Sequence, residues 1–168
     1  MINIFEKVIL TMFGIGFFKH IPGTIASFVT CLIFYFLWTL MGIKNLFPLA
    51  IIFLTVIFIY SIILINKHYK NNDSKEIVID EFIGQSIPLL SIHISELQLK
   101  MQSLSFGVYY IEIWILLSFI LFRFFDILKP FPINIIDQKM KNGLGVILDD
   151  IVAGILTALL LYFILLWI

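Results

Sequence analysis

The sequence predicts an all-α protein: a polytopic membrane helical bundle of four to five spans, with its N-terminus in the cytoplasm. Three observations carry this expectation. Of 168 residues, 61% are hydrophobic and only 13% are charged, whereas a soluble domain is about half apolar and about a quarter charged. The apolar residues gather in long uncharged runs, and roughly 20 such residues let a helix cross a bilayer core of about 30 Å. The few cations are distributed unevenly between the connections. Disorder is excluded, because it requires low hydrophobicity, and the mean hydropathy here is +1.09. Residues 1–168 read as one integral-membrane domain, without an internal repeat or a linker.

The elements follow in order. Residues 8–18 are apolar and come after Glu6 and Lys7, which faintly resembles a signal peptide. They are followed by Lys19-His20-Ile21-Pro22, not by a small-residue cleavage site, so an uncleaved interfacial or partly buried helix is expected. Residues 25–43 form a first span. Residues 46–65 form a second, with Pro48 near its start, where a helix tolerates proline. Residues 67–74 are a short hydrophilic loop. Residues 82–94 are apolar but short, and Gly84 and Pro88 interrupt them. This run either crosses as a thin or tilted helix or is re-entrant. Residues 104–122 make a long span broken only by Glu112, and residues 151–168 make a closing one.

Charge placement supplies the orientation. If residues 82–94 cross, one side holds Lys7, Lys19, Lys67, Lys70, Lys75, Arg123, Lys129, Lys139 and Lys141, and the other holds Lys44 and Lys100. Cations concentrate on the cytoplasmic side, so this split favours five crossings. Re-entry would place Arg123 to Lys141 outside and erase the asymmetry. Eleven Lys+Arg balance eleven Asp+Glu, which leaves no basic face for nucleic acid. Cys31, the single cysteine, cannot form an internal disulfide and reads as a small buried hydrophobe.

The same orientation gathers Asp80, Glu81, Asp126, Asp137, Asp149 and Asp150 on the cytoplasmic face, several beside long apolar runs. An acid at a membrane boundary is costly unless paired, hydrated or bound to a metal. Asp149-Asp150, at the expected start of the last helix, are read either as dipole-complementing caps or as metal or phosphate ligands beside Gly143 and Gly145. Asp80-Glu81 carry the same two readings, with Gly84 leaving room beside the carboxylates. Arg123, Asp126 and Lys129 are spaced i, i+3, i+6, which predicts one polar stripe on a helix ended by Pro130 and Pro132. That stripe is either a set of ion pairs or a metal-ligating Asp between two phosphate-binding cations. His20, His68 and His93 lack metal-ligand spacing and read as solvated or internally satisfied. Glu112 reads as an interior acid or one near the outer interface. A P-loop, a Gly-x-Ser-x-Gly elbow and a His-Glu-x-x-His helix are all absent. Hard carboxylates with cations at one membrane face fit Mg²⁺ and metal-assisted phosphoryl chemistry.

Five stretches resemble, in order, the phosphatidylglycerophosphatase A family of bacterial membrane lipid phosphatases. They are Gly14-Ile15-Gly16; Ile21-Pro22-Gly23-Thr24-Ile25-Ala26-Ser27; Asp80-Glu81-Phe82-Ile83-Gly84; Phe122-Arg123-Phe124-Phe125-Asp126-Ile127-Leu128-Lys129-Pro130-Phe131-Pro132; and Gly143 to Gly154 with its Asp149-Asp150 pair. The chain departs from the family at Lys19, where proline is usual, and at Ala26 and Asn142, where glycine is usual. At Gln138, after Asp137, an arginine is usual.

The resemblance implies Mg²⁺-dependent hydrolysis of phosphatidylglycerophosphate to phosphatidylglycerol and phosphate. This would occur at the cytoplasmic face of the bacterial inner membrane, in phospholipid and cardiolipin-precursor synthesis. It implies catalytic roles for Asp80, Glu81, Asp126, Lys129, Asp149 and Asp150, with Glu81, Asp126, Asp149 and Asp150 as metal ligands. Arg123 and Lys129 would bind the phosphate, aided by the backbone and hydroxyls of Pro22, Gly23, Thr24 and Ser27. Asp137, Gly84, Gly143 and Gly145 would support the site. Water and an aspartate both remain open as nucleophile. Two rivals are weaker. A CDP-alcohol phosphotransferase would need an Asp-Gly-x-x-Ala-Arg signature, which is missing. A small transporter or accessory protein with a cation-binding acidic cluster would need acids deep in several spans, where only Glu112 qualifies.

Overall fold

The computed structural model describes residues 3–69, 74–94 and 109–167. Among them it contains seven α-helices, two short 3₁₀ turns and no strand. The helices are α1 (Ile4–Leu10), α2 (Pro22–Met41), α3 (Ile43–His68), α4 (Ile79–Leu90), α5 (Tyr110–Leu128), α6 (Ile133–Lys139) and α7 (Gly143–Trp167). Three of them, α2, α3 and α7, are long and apolar enough to cross a membrane. α5 has 19 residues but carries Glu112, Arg123 and Asp126. The first residues of the expected 104–122 span, along with Lys70 and Lys100, lie outside the described residues.

Local sequence explains the boundaries. Pro22 sits in the first turn of α2, where its missing N–H costs nothing. Gly42, at φ 75°, is the single residue between α2 and α3, and that left-handed backbone suits glycine. On α2, Ala26, Ser27, Thr30, Cys31, Phe34 and Trp38 face inward at helical spacing. Phe28, Leu32, Phe36 and Leu40 face outward. An outer surface this apolar suits hydrocarbon rather than water.

α4 sits at the centre of the bundle. It is 12 residues long, a rise of about 18 Å, and its residues are largely buried against α2, α5 and α7. Pro88 lies inside it, so the Gly84 carbonyl loses its usual helical donor. The indole N–H of Trp114 on α5 donates to the Pro88 carbonyl at 2.9 Å. α2, α4 and α7 begin, and α3 and α5 end, around one cavity at the same end of the bundle.

Three expectations need correction. Residues 8–18 are not one helix: α1 stops at Leu10, Met12, Phe13 and Gly14 adopt positive φ, and a 3₁₀ turn follows at Ile15–Phe17. Gly16 is needed in that turn, because a Cβ there would stand 1.9 Å from the Glu76 carbonyl oxygen. The last helix begins at Gly143, not at Asp149, so the two aspartates lie in its second turn and do not cap its N-terminus. Lys129 is not on the α5 stripe. It is the C-cap residue, at φ 42°, and the left-handed turn redirects its side chain.

Candidate active site

The cavity at that end has a volume of about 510 Å³. Pro22, Gly23 and Thr24 reach it from α2, Asp80 and Glu81 from α4, and Arg123 and Asp126 from α5. Lys129, Asp137, Gly145, Asp149 and Asp150 line the rest of its polar wall. Segments separated by more than a hundred residues in sequence therefore converge on one polar space. Asp149 and Asp150 are buried charged residues of this wall, at 5% and 4% exposure.

The charged groups divide into three sets. Arg123 pairs with Asp126 one turn away on α5, and its Nη1 also donates to Ser27 Oγ at 3.4 Å. Ser27 in turn donates to the Gly23 carbonyl at 3.0 Å. Lys129 Nζ donates to Asp149 Oδ2 at 2.6 Å and to Asp137 Oδ1 at 2.7 Å. Burial by itself would lower the Lys129 pKa, but the hydrogen bonds and charges of Asp137 and Asp149 outweigh it and raise the value above normal. The ammonium is thus firmly protonated at neutral pH.

The third set is acidic. Asp80, Glu81 and Asp150 each offer one carboxylate oxygen, and these atoms lie within 4.8 Å of one another. Glu81 Oε2 is buried without a hydrogen-bond partner, and so is Asp149 Oδ1. Three hard oxygen donors around one point, with an unanswered buried carboxylate oxygen, suit a divalent cation with a preference for oxygen. This grouping differs from the ligand set expected from sequence. Asp80 stands among the clustered carboxylates, Asp149 pairs with Lys129, and Asp126 pairs with Arg123 while also lying against Asp150.

Close backbone approaches hold the groups in place. A Cβ at Gly23 would stand 1.9 Å from Glu81 Oε1, and one at Gly84 would stand 2.6 Å from the Asp150 carbonyl oxygen. Gly143 and Gly84 do not line the cavity. The Gly143 N–H donates to Asn66 Oδ1 at 2.8 Å, tying α7 to α3. Gly145 packs against Met140, where a Cβ would meet the carbonyl oxygen at 1.8 Å. Ser27 is buried behind the wall and acts through Arg123.

Sequence reasoning missed Gln85, which is fully buried one turn after Glu81, with both amide atoms lacking a partner. An amide within the apolar run 82–94, one turn after Glu81, is the available signal. Glu112 lies away from the cavity and accepts a hydrogen bond from the Tyr35 hydroxyl at 3.3 Å.

A family model described as phosphatidylglycerophosphatase A matches residues 8–165. The chain belongs to the phosphatidylglycerophosphatase A family. A Haemophilus influenzae protein named phosphatidylglycerophosphatase A is 36% identical over 158 residues, covering 92% of this chain and 85% of the relative. The Escherichia coli protein of the same name is 32% identical over 152 residues, covering 90% and 78%. A Bacteroides thetaiotaomicron protein, provisionally named a phosphatidylinositol-3-phosphatase, is 28% identical over 153 residues, covering 90% and 87%. No solved structure matches the chain significantly. As a member of the phosphatidylglycerophosphatase A family, the chain is an enzyme of the phosphatase class, and its apolar helices fit a membrane protein.

Proposed function

We propose that the protein hydrolyses phosphatidylglycerophosphate to phosphatidylglycerol and phosphate, with Mg²⁺, at the cytoplasmic face of the bacterial inner membrane. In phospholipid synthesis this step precedes cardiolipin. The observation that carries the reading is the convergence of Asp80, Glu81 and Asp150 beside the Lys129 and Arg123 ion pairs in a single cavity. Water attacks the terminal phosphorus, the P–O bond to the glycerol breaks, and the departing oxygen takes a proton. Lys129 and Arg123 lower the cost of negative charge on the phosphoryl oxygens. At the start of α2, Gly23 and Thr24 offer backbone N–H groups, and Thr24 its hydroxyl, to the same oxygens. Asp80, Glu81 and Asp150 would hold Mg²⁺, which supplies positive charge beside the reacting group. Asp126 and Asp149 keep the two cations oriented, and the free oxygen of Asp149 can receive a proton.

Five crossings with a cytoplasmic N-terminus fit this site. α4 leads away from the cavity end and α5 leads back to it, so the chain reverses between them as it would if both crossed. Most of the cations then lie with the acids, as the cytoplasmic bias requires.

The test is phosphate release from purified protein in neutral detergent micelles containing phosphatidylglycerophosphate, with Mg²⁺ or with EDTA. Release that needs Mg²⁺ and yields phosphatidylglycerol is expected. Absence of release with any divalent metal would overturn the reading. Phosphatidylinositol 3-phosphate and phosphatidic acid in parallel would show whether the lipid named for the Bacteroides relative is the better substrate.

A further inference from the structure

We propose that Lys75 and Lys141 form a second anion subsite at the mouth of the cavity, which takes the internal phosphodiester of a lipid carrying two phosphate groups. The inference rests on the lipid-phosphatase reading and deepens it. Four cations line the cavity: Lys75, Arg123, Lys129 and Lys141. Two of them are already engaged. Arg123 is paired with Asp126, and Lys129 is shared by Asp137 and Asp149. Lys75, in the connection between α3 and α4, and Lys141, in the connection between α6 and α7, are exposed. Neither makes an ion pair with any described residue. The cavity therefore has buried acids at its depth and, at its opening, exposed cations from two separate connections that pair with no described residue.

The proposed substrate has matching chemistry. Its terminal monoester reacts, and its internal diester carries a further negative charge that the reaction leaves untouched. The monoester belongs with the buried acids and their cations. The diester needs only a fixed positive partner, and flexible point charges such as lysine suit that task. A lipid with a single phosphate leaves these two lysines unused. Lys75 and Lys141 are therefore specificity-determining residues rather than catalytic ones.

The experiment uses the full-length protein in neutral detergent micelles, so that no anionic surface is present. The variant Lys75→Gln/Lys141→Gln is compared with Lys75→Arg/Lys141→Arg and with the unaltered protein. For phosphatidylglycerophosphate, KM should rise about tenfold in the Gln variant, the scale of one or two exposed charge contacts. kcat should stay within about twofold, and the Arg variant should restore KM. The inhibition constant for inorganic phosphate, which fits only the reacting end, should change by less than about twofold. An unchanged KM overturns the proposal. So does an equal weakening of lipid and inorganic phosphate, which marks a general field effect, and so does an effect seen only on anionic vesicles, which marks surface docking. If the unaltered protein releases no phosphate at all, the phosphatase reading itself fails, an outcome separate from these.

Discussion

The Gly84 carbonyl oxygen lies so close to Gly154 that a Cβ built there would stand 2.3 Å from it. This contact is where α4 crosses α7, and it is one turn from both Glu81 and Asp150. Small residues let helix backbones approach in a membrane. Here that approach brings carboxylates from two helices to one point.

Gly154→Ala therefore forces α4 and α7 apart. We expect a loss of about 1–3 kcal/mol in stability, the usual scale of overpacking, together with a fall in phosphate release at temperatures where the protein remains folded. Thermal inactivation and turnover measured on the same sample check this. An Ala variant with unchanged melting and turnover would mean that the crossing is not rigid.

Asp149 and Asp137 share Lys129 but differ in depth, with side chains 7% and 30% exposed. Asp149→Asn and Asp126→Asn should each reduce kcat by at least about 100-fold, the range for losing a positioned proton-transfer or charge-stabilising group. Asp137→Asn should cost less than about tenfold, because Lys129 keeps its buried partner. Near-normal turnover in Asp149→Asn would remove it from the site.

Loss of one of the clustered carboxylates should appear in metal binding as well as in rate. Asp150→Asn is expected to weaken divalent-cation affinity by about 100-fold or more, since even outer-shell partners cost 10–100-fold. Mn²⁺ titration followed by electron paramagnetic resonance reads this without turnover. Equal Mn²⁺ affinity in the variant would move the cation elsewhere.

The N-terminal helix gives a pH prediction. The Glu6 carboxylate is held below its ordinary pKa, first by the Asn3 backbone N–H and then by Lys67, with His68 also close by. A lowered acid contributes stability that is present above its unfolded value of about 4.3 and is lost as pH falls through the folded one. The protection factors of the α1 amides, taken against the intrinsic exchange rate at each pH, should therefore be higher at pH 7 and fall below about pH 4. Glu6→Gln should already exchange fast at pH 7, and hydrogen exchange of residues 4–10 measures both.

Much of this architecture is legible from composition and spacing. Uncharged runs of membrane length mark α2, α3 and α7, because apolar length is a one-dimensional property. The acids could be assigned to one end because cation bias orients each connection. Which acid meets which partner was not legible. The Arg123–Asp126–Lys129 spacing suggests a single stripe, but Lys129 leaves the helix in a left-handed turn, a local event that spacing does not encode. Asp149-Asp150 resemble a helix start because apolar residues follow them, yet Gly143-Leu144-Gly145 are already helical. Tertiary packing of Gly143 against α3 and of Gly145 against Met140 overrides the low helix propensity of those glycines. Gly154 was visible within a motif, but its purpose depends on Gly84, seventy residues earlier, whose carbonyl Pro88 frees.

The doubly held Lys129 ammonium has a consequence for the reaction cycle. The ammonium has three N–H donors and gives two of them to Asp137 and Asp149, so a phosphoryl oxygen can take the third while both carboxylates stay in place. Asp137 and Asp149 remain beside the product as standing competitors for the same proton donors. Inorganic phosphate held there would sit beside two carboxylates of like charge, an arrangement that favours passage over retention.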